Sequence, residues 1–136
     1  MRKTLLIVDD AMIIREMIKD AVEPESWEIV GEAANGQEAI IKYQTLRPDA
    51  VTLDLVMPRF DGLHALRGIR EFDPLARVLI VSAINQKEKL TEALRYGAGD
   101  FIVKPFEALR LRTALTKIVA RMDSMPVILP AASSPQ

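Results

Sequence analysis

Short apolar segments and amphipathic segments alternate five times along this chain. The apolar segments have the length of β-strands, and some of them, such as Leu5–Val8, are apolar throughout. Continuous apolar runs of this length are typical of strands that are covered on both faces. The alternation therefore predicts an α/β fold, in which a parallel sheet carries helices on both faces and the crossovers are right-handed.

Element boundaries follow from the spacing of apolar residues and from the positions of proline and glycine. The predicted strands are 5–8, 27–34, 50–53, 77–82 and 101–103. The predicted helices begin near Ile14, Gln37, Leu63, Lys87 and Leu111. Gly97 is suited to the left-handed turn after the fourth helix. Positions predicted to be buried include Met17, Leu46, Phe72 and Met122 on the first, second, third and last helices.

Length and composition limit the domain organisation and the partners. The chain has 136 residues, which fits one domain, and we assign 1–123 to that domain. Residues 124–136 contain three prolines and several serines and are predicted to be a tail or the stub of a linker. The formal net charge of −1 disfavours direct binding to nucleic acid or to an anionic membrane.

The composition also restricts the chemistry. The chain contains no cysteine, so we expect any bound metal to be held by oxygen ligands, and a reducing cytoplasm is compatible with this composition. No apolar segment approaches the roughly 20 residues that cross a bilayer. We therefore expect a soluble cytoplasmic protein.

Polar residues stand where the predicted strands end. Asp9 and Asp10 follow the first strand, Asp54 follows the third, Ser82 ends the fourth and Lys104 follows the fifth. Ligands of such sheets bind outside the carboxyl ends of the strands, where the strand order reverses. If the order is 2-1-3-4-5, the first and third strands are neighbours and the three carboxylates converge.

Three converging carboxylates require raised pKa values or a cation, because like charges disfavour joint ionisation. Mg²⁺ suits the need, since it prefers oxygen ligands and is commonly held by carboxylates together with phosphate oxygens. The formal charges of three aspartates, Mg²⁺ and Lys104 cancel, so the site can accept a dianionic phosphoryl group. Asp54 is our predicted nucleophile because it ends a buried central strand. Lys104 would offset charge on the phosphoryl group, and Ser82 would donate a hydrogen bond to it.

The strand-end residues form motifs that resemble those of the receiver domain of two-component response regulators, and in particular a single receiver of the chemotaxis type. The resemblance covers about Lys3 to Met122. Its motifs are Asp9-Asp10, Asp54–Gly62, Ser82-Ala83 and Lys104-Pro105-Phe106. The resemblance implies a flavodoxin-like three-layer sandwich, in which a five-stranded parallel sheet of order 2-1-3-4-5 is combined with five helices.

The resemblance also implies roles for the site residues. Asp54 would accept a phosphoryl group from the phosphohistidine of a sensor histidine kinase or a phosphotransfer protein. Asp10, Asp54 and the backbone carbonyl of Val56 would coordinate Mg²⁺, and Asp9 would assist indirectly or through water. Lys104 would pair with the phosphoryl group.

The resemblance further implies a conformational switch. Ser82 would move toward the phosphoryl group, and the aromatic side chain of Phe101 would turn inward. The fourth helix, fifth strand and fifth helix would then present a changed surface to a downstream protein or to an effector domain outside this sequence. The chain would be a monomer or a weak dimer through that surface. The resemblance also implies a cis Lys104-Pro105 bond. Val56 and Ile84 are apolar neighbours of the site, and in the family such neighbours influence access of the attacking water, so we expect slow loss of the phosphoryl group.

Less specific interpretations remain open for single residues and for the whole chain. Asp9 and Asp10 are also common turn residues, and the only histidine, His64, is expected to be solvated. A Mg²⁺-dependent phosphohydrolase is a rival function, but its usual second aspartate is replaced by Val56. A second rival is an interaction module that does not depend on phosphorylation. We expect no enzymatic activity beyond self-catalysed phosphoryl acceptance and autodephosphorylation.

Overall fold

Strands and helices alternate along the computed structural model, which describes residues 2–83 and 85–124. The strands are β1 (Thr4–Val8), β2 (Glu28–Ala33), β3 (Ala50–Leu53), β4 (Val78–Ala83) and β5 (Asp100–Lys104). The helices are α1 (Met12–Val22), α2 (Gly36–Leu46), α3 (Gly62–Phe72), α4 (Lys87–Arg95) and α5 (Ala108–Ser124), and a 3₁₀ turn at Glu23–Glu25 follows α1. The predicted boundaries differ from these mostly by one or two residues, although α1 and α5 begin two and three residues before their first predicted apolar position.

The strands form one parallel sheet of order β2-β1-β3-β4-β5, which confirms the predicted fold class. In this order β1 and β3 are neighbours, and Val8 pairs with Leu53. Asp9 and Asp54 are therefore the next residues on two adjacent strands, and the Asp54 N–H donates to the carbonyl of Val8 at 3.0 Å. The strand order thus brings two of the predicted acidic residues side by side.

Alternate side chains of the strands enter two separate cores. Leu5 and Ile7 of β1 pack with α1 and α5, whereas Leu6 and Val8 pack with α2 and α3. Both strand faces are buried, as the continuous apolar run predicted. The central strands are packed between two layers of helices, and this packing positions the backbone from which the side chains at the strand ends extend.

Three positions that were predicted to be buried are partly exposed, at 38% for Met17 and 37% each for Leu46 and Phe72. Leu46 and Phe72 are the last residues of α2 and α3, where a helix leaves the core. The Phe72 ring is covered instead by the guanidinium of Arg47, 4.7 Å from its centroid. Met17 borders a groove between α1 and α5 rather than the core.

Other predictions about the chain are only partly testable. Gly97 has a φ of 100°, which confirms the left-handed turn after α4. Helix α5 extends to Ser124, while residues 125–136, the side chain of Met122 and Ile84 lie outside the described residues. The boundary at 123 stays a prediction. No helix in the described part of the chain is long and apolar enough to cross a bilayer.

Candidate functional site

The carboxyl ends of four strands bring together the side chains predicted from the sequence. Asp9 and Asp54 are 1% and 6% exposed, and the Ser82 side chain is also buried. Lys104, the last residue of β5, is partly exposed, and Asp10 is exposed. The site is therefore a buried acidic pair that opens to solvent on the side of Asp10.

The ammonium group of Lys104 is the cation of this cluster. Its Nζ lies 2.7 Å from Asp9 Oδ2 and 3.4 Å from Asp54 Oδ2. The lysine reaches from β5 to residues that follow β1 and β3. The Lys104-Pro105 bond is cis, as the resemblance implied. Both buried carboxylates are thus paired with a single positive charge.

Asp54 sits in an environment that opposes its ionisation. Burial raises the pKa of its carboxyl, and the neighbouring charge of Asp9 raises it further. Lys104 opposes this shift, and so does the backbone N–H of Val56, which donates to Asp54 Oδ1 at 3.3 Å. Burial and Asp9 outweigh Lys104 and Val56, so the pKa of the Asp54 carboxyl is raised above its ordinary value.

Three carboxylates are arranged so that they could share a hard cation. Each of Asp9, Asp10 and Asp54 offers an oxygen, and these oxygens lie within 4.8 Å of one another. Both oxygens of Asp9 already have partners: Oδ1 accepts from the Ala11 N–H at 2.9 Å, and Oδ2 accepts from Lys104. Oxygen-only donors of this kind suit Mg²⁺. The contacts to the two oxygens of Asp54 are longer, at 3.3 Å from the Val56 N–H and 3.4 Å from Lys104, and Asp10 is exposed.

The predicted switch residues differ in their contacts: Ser82 has an unpaired hydroxyl within the described residues, whereas Phe101 packs against the core. The hydroxyl of Ser82 is buried and has no hydrogen-bond partner among the described residues. Phe101 is partly buried and packs against the core that faces α2, α3 and α4. Its backbone carbonyl accepts a hydrogen bond from Arg110 at 3.2 Å. An inward turn of Phe101 stays a prediction.

Arg15 and Gly62 support the site and were not singled out as site residues from the sequence. Arg15 donates to the carbonyl of Asp9 at 2.6 Å and to Glu32 at 2.8 Å, which fixes the turn after β1. A Cβ on Gly62 would lie 2.2 Å from the carbonyl oxygen of Asp54, so only glycine fits there. The position of Gly62, eight residues after Asp54, was the available signal. Arg15 gave none, because an arginine in the first turn of a helix is ordinary in a sequence.

Val56 and His64, which the sequence analysis also considered, are both exposed. Val56 is 47% exposed, which agrees with an apolar neighbour that faces solvent. His64 is exposed, as predicted, and its ring lies 3.2 Å from the side chain of Gln37. Metal coordination by the Val56 carbonyl stays a prediction.

The fold and this site together define a receiver-type α/β domain. The chain belongs to the response regulator receiver domain family, whose model matches residues 5–116. It is 46% identical over 118 residues to the chemotaxis protein CheY of Thermotoga maritima, covering 87% of this chain and 98% of that protein. It is 52% identical over 113 residues to CheY of Listeria monocytogenes, covering 83% and 95%. Two-component signalling is the context that these relatives share.

Solved structures agree with the fold. A CheX-CheY-BeF₃-Mg²⁺ complex from Borrelia burgdorferi matches with a TM-score of 0.81 and 36% identity, over 85% of this chain and 88% of that one. The response regulator domain of Thermotoga maritima CheB matches with a TM-score of 0.77 and 36% identity, over 93% and 100%. The predicted family and fold are therefore confirmed.

Proposed function

We propose that this chain is a phosphorelay switch in which Asp54 accepts a phosphoryl group from the phosphohistidine of a sensor histidine kinase or phosphotransfer protein. The observation that carries the proposal is the position of Lys104 Nζ, 2.7 Å from Asp9 and 3.4 Å from Asp54, inside an acidic cluster. A structural ion pair needs one carboxylate and not three. A phosphoryl acceptor, in contrast, requires a carboxylate that attacks phosphorus, further carboxylates that hold a cation, and a positive group that offsets the phosphoryl charge.

The reaction is a transfer between two side chains. An oxygen of the Asp54 carboxylate forms a bond to phosphorus while the bond between phosphorus and the donor imidazole nitrogen breaks, and the imidazole leaves with that electron pair. Lys104 lies beside Asp54 Oδ2, so its charge opposes the negative charge that the phosphoryl oxygens bring to the site. The Val56 N–H holds Asp54 Oδ1 and so orients the carboxylate.

The residues of the cluster fit a divalent cation. Asp10, Asp54 and the carbonyl of Val56 would hold Mg²⁺, and Asp9, whose Oδ2 accepts a hydrogen bond from Lys104 at 2.7 Å, would assist indirectly or through water. When bound, Mg²⁺ supplies positive charge that offsets the phosphoryl oxygens. The exposure of Asp10 gives the ion a route from solvent.

Ser82 is the proposed sensor of the modification. Its buried hydroxyl lacks a partner among the described residues, so a phosphoryl oxygen on Asp54 would offer the acceptor that it lacks.

Movement of Ser82 and of Phe101 on the neighbouring strand would then change the surface formed by α4, β5 and α5. That surface would act in the cytoplasm on a downstream protein or on an effector domain, and would permit at most a weak dimer. The Borrelia complex, in which a CheY protein is bound to CheX, illustrates the kind of protein partner.

A phosphohydrolase is the weaker alternative. Enzymes of that type need a general acid near the nucleophile, and the residue two positions after Asp54 is Val56, whose side chain cannot donate a proton. We therefore propose no turnover of external phosphate esters, and appreciable hydrolysis of p-nitrophenyl phosphate would contradict this.

Phosphorylation by a small donor tests the proposal directly. The full chain is incubated with acetyl phosphate and Mg²⁺, and its intact mass is compared with that of Asp54→Asn and with a sample in EDTA. We expect one added phosphoryl group on the wild type with Mg²⁺ and none in the two controls. An unmodified wild type, or an Asp54→Asn variant that is modified equally, would overturn the assignment. Decay of the modified mass over time also tests the slow loss expected from Val56.

A further inference from the structure

A groove between α3 and α4 lies at the opposite edge of the sheet from Asp54. The carboxyl ends of both helices border it, because these helices run antiparallel to the strands and end just before β4 and β5 begin. Its volume is about 460 Å³, and three arginines are among the side chains that line it. The lining residues are Arg67, Arg70, Glu71, Pro74, Arg95 and Tyr96.

Arg70 is partly buried and lacks acceptors for most of its donors. Its one hydrogen bond among the described residues is a long one, from Nη1 to the carbonyl of Ala76 at 3.4 Å, although a guanidinium has five N–H donors. Burial lowers the pKa of Arg70, a sign that water is partly removed from its charge. The nearby carboxylate of Asp73 is already bonded to the Tyr43 hydroxyl at 2.6 Å.

The position of Arg70 depends on Gly97. A Cβ at Gly97 would lie 2.5 Å from Arg70 Nε, so the absence of a side chain there makes room for the guanidinium. The guanidinium therefore lies directly against the backbone turn that follows α4. A partly buried guanidinium with unused donors can bind an anion that enters the groove.

Arg67 and Arg95 complete the positive side of the groove. Arg67 is held by Glu92 at 3.5 Å and stacks on Tyr96 with its guanidinium carbon 4.6 Å from the ring centroid. Arg95 is exposed and makes no ion pair or hydrogen bond within the described part of the chain. Glu71 is the opposing charge on the rim. With Glu92 and Asp73 counted as well, these residues carry three positive and three negative charges, and Arg70 and Arg95 are the two cations among them that make no ion pair within the described residues.

We propose that this groove binds a diphosphate anion. Guanidinium groups present paired N–H donors that match phosphoryl oxygens, and Arg70 and Arg95 have such donors free. The volume of about 460 Å³ is in the range of small-ligand sites. A free diphosphate and the diphosphate of a nucleotide share this chemistry. Tyr96 is the group that would distinguish them, because its ring could stack on a base.

Calorimetric titration of the full chain with pyrophosphate, and separately with ADP, tests the site. EDTA is present so that the acidic cluster at Asp54 repels anions, and the ionic strength is held constant. We expect saturable binding to one site, weakened about tenfold or more by Arg95→Gln through loss of a charge-assisted hydrogen bond. Arg70→Lys keeps the charge but loses the paired donors and should weaken binding similarly. Lys117→Gln removes the same charge from an exposed position on α5 and should have no effect.

The outcomes separate the ligand sources and the alternatives. If ADP binds more tightly than pyrophosphate and Tyr96→Leu removes the difference, the site is a nucleotide site; equal affinities indicate a free diphosphate. Absence of saturable binding, or equal weakening by Lys117→Gln, overturns the proposal. The Arg95 side chain makes no ion pair or hydrogen bond within the described residues, so Arg95→Gln decides the matter even if Arg70→Lys unfolds. Asp54→Asn should bind normally, which keeps this test independent of phosphorylation.

Discussion

Replacing Asp54 by asparagine should stabilise the protein when no divalent cation is present. The substitution preserves the shape of the side chain and its acceptor for the Val56 N–H, but removes a buried negative charge. At an effective dielectric constant of about 20, repulsion between Asp54 and Asp9 across at most 4.8 Å is about 3.5 kcal/mol, and attraction to Lys104 at 3.4 Å is about 5 kcal/mol.

The attraction exceeds the repulsion by at most about 1.5 kcal/mol, so the larger cost of removing the Asp54 carboxylate from water decides the sign. That cost is several kcal/mol for a buried ion, whereas Lys104 keeps its closer partner, Asp9, in the variant. We expect the free energy of unfolding of Asp54→Asn at neutral pH to exceed that of the wild type by about 1–3 kcal/mol. Urea denaturation in EDTA, followed by the fluorescence of the single tryptophan, Trp27, measures it.

The pH dependence gives the same prediction a second test. The pKa of Asp54 is raised in the native state above its ordinary value of 3.8. At a pH between 3.8 and the raised pKa, the native state therefore binds more protons than the unfolded state. The wild type therefore gains stability from this group as the pH falls through the raised pKa, and the advantage of the variant should shrink. Mg²⁺ should stabilise the wild type more than the variant, by mass action. A variant that is less stable than the wild type in EDTA at neutral pH would refute the reasoning.

Three further substitutions test the support of the site. Lys104→Met should lower the free energy of unfolding in EDTA by about 3 kcal/mol, because the buried Asp9 loses its cation, and an unchanged urea midpoint would contradict this. Ser82→Ala should change the free energy of unfolding by less than about 0.5 kcal/mol, since its hydroxyl has no partner among the described residues, but should slow phosphoryl uptake measured by intact mass. Gly62→Ala should destabilise the fold by about 1–3 kcal/mol, because its Cβ would meet the carbonyl of Asp54; thermal unfolding measures it, and a wild-type melting temperature would show that the loop yields freely.

Much of the fold was predictable because the strands are apolar on both faces. Runs such as Leu5–Val8 have few alternatives to a central strand, and a polar residue directly after such a run must appear at the carboxyl edge of the sheet. That reasoning located Asp9, Asp54 and Lys104 before their distances were known. The strand order then decided which of them meet.

Features that depend on the geometry of a side chain were not predictable in this way. The spacing of apolar residues assigned Leu46 and Phe72 to the core, but the last residues of a helix extend past the layer beneath them. The bond from Arg15 to the carbonyl of Asp9 joins a helix to a turn and leaves no periodic signal. The two hydrogen bonds that Asp9 accepts, from Ala11 and Lys104, likewise appear only when the distances are known.

The weak attachment of α4 supports its place in the proposed signalling surface. Ala93 is the one buried side chain of this helix, whereas α1 and α2 each bury three residues. Polar contacts at the surface supply part of its attachment, among them Lys89 to Asp61 and Arg67 to Glu92, each at 3.5 Å. Elements with few buried apolar contacts shift at low cost in free energy. Since Asp61 directly precedes Gly62, which contacts the backbone of Asp54, a change at the phosphoryl acceptor would reach α4 through contacts that are easily rearranged.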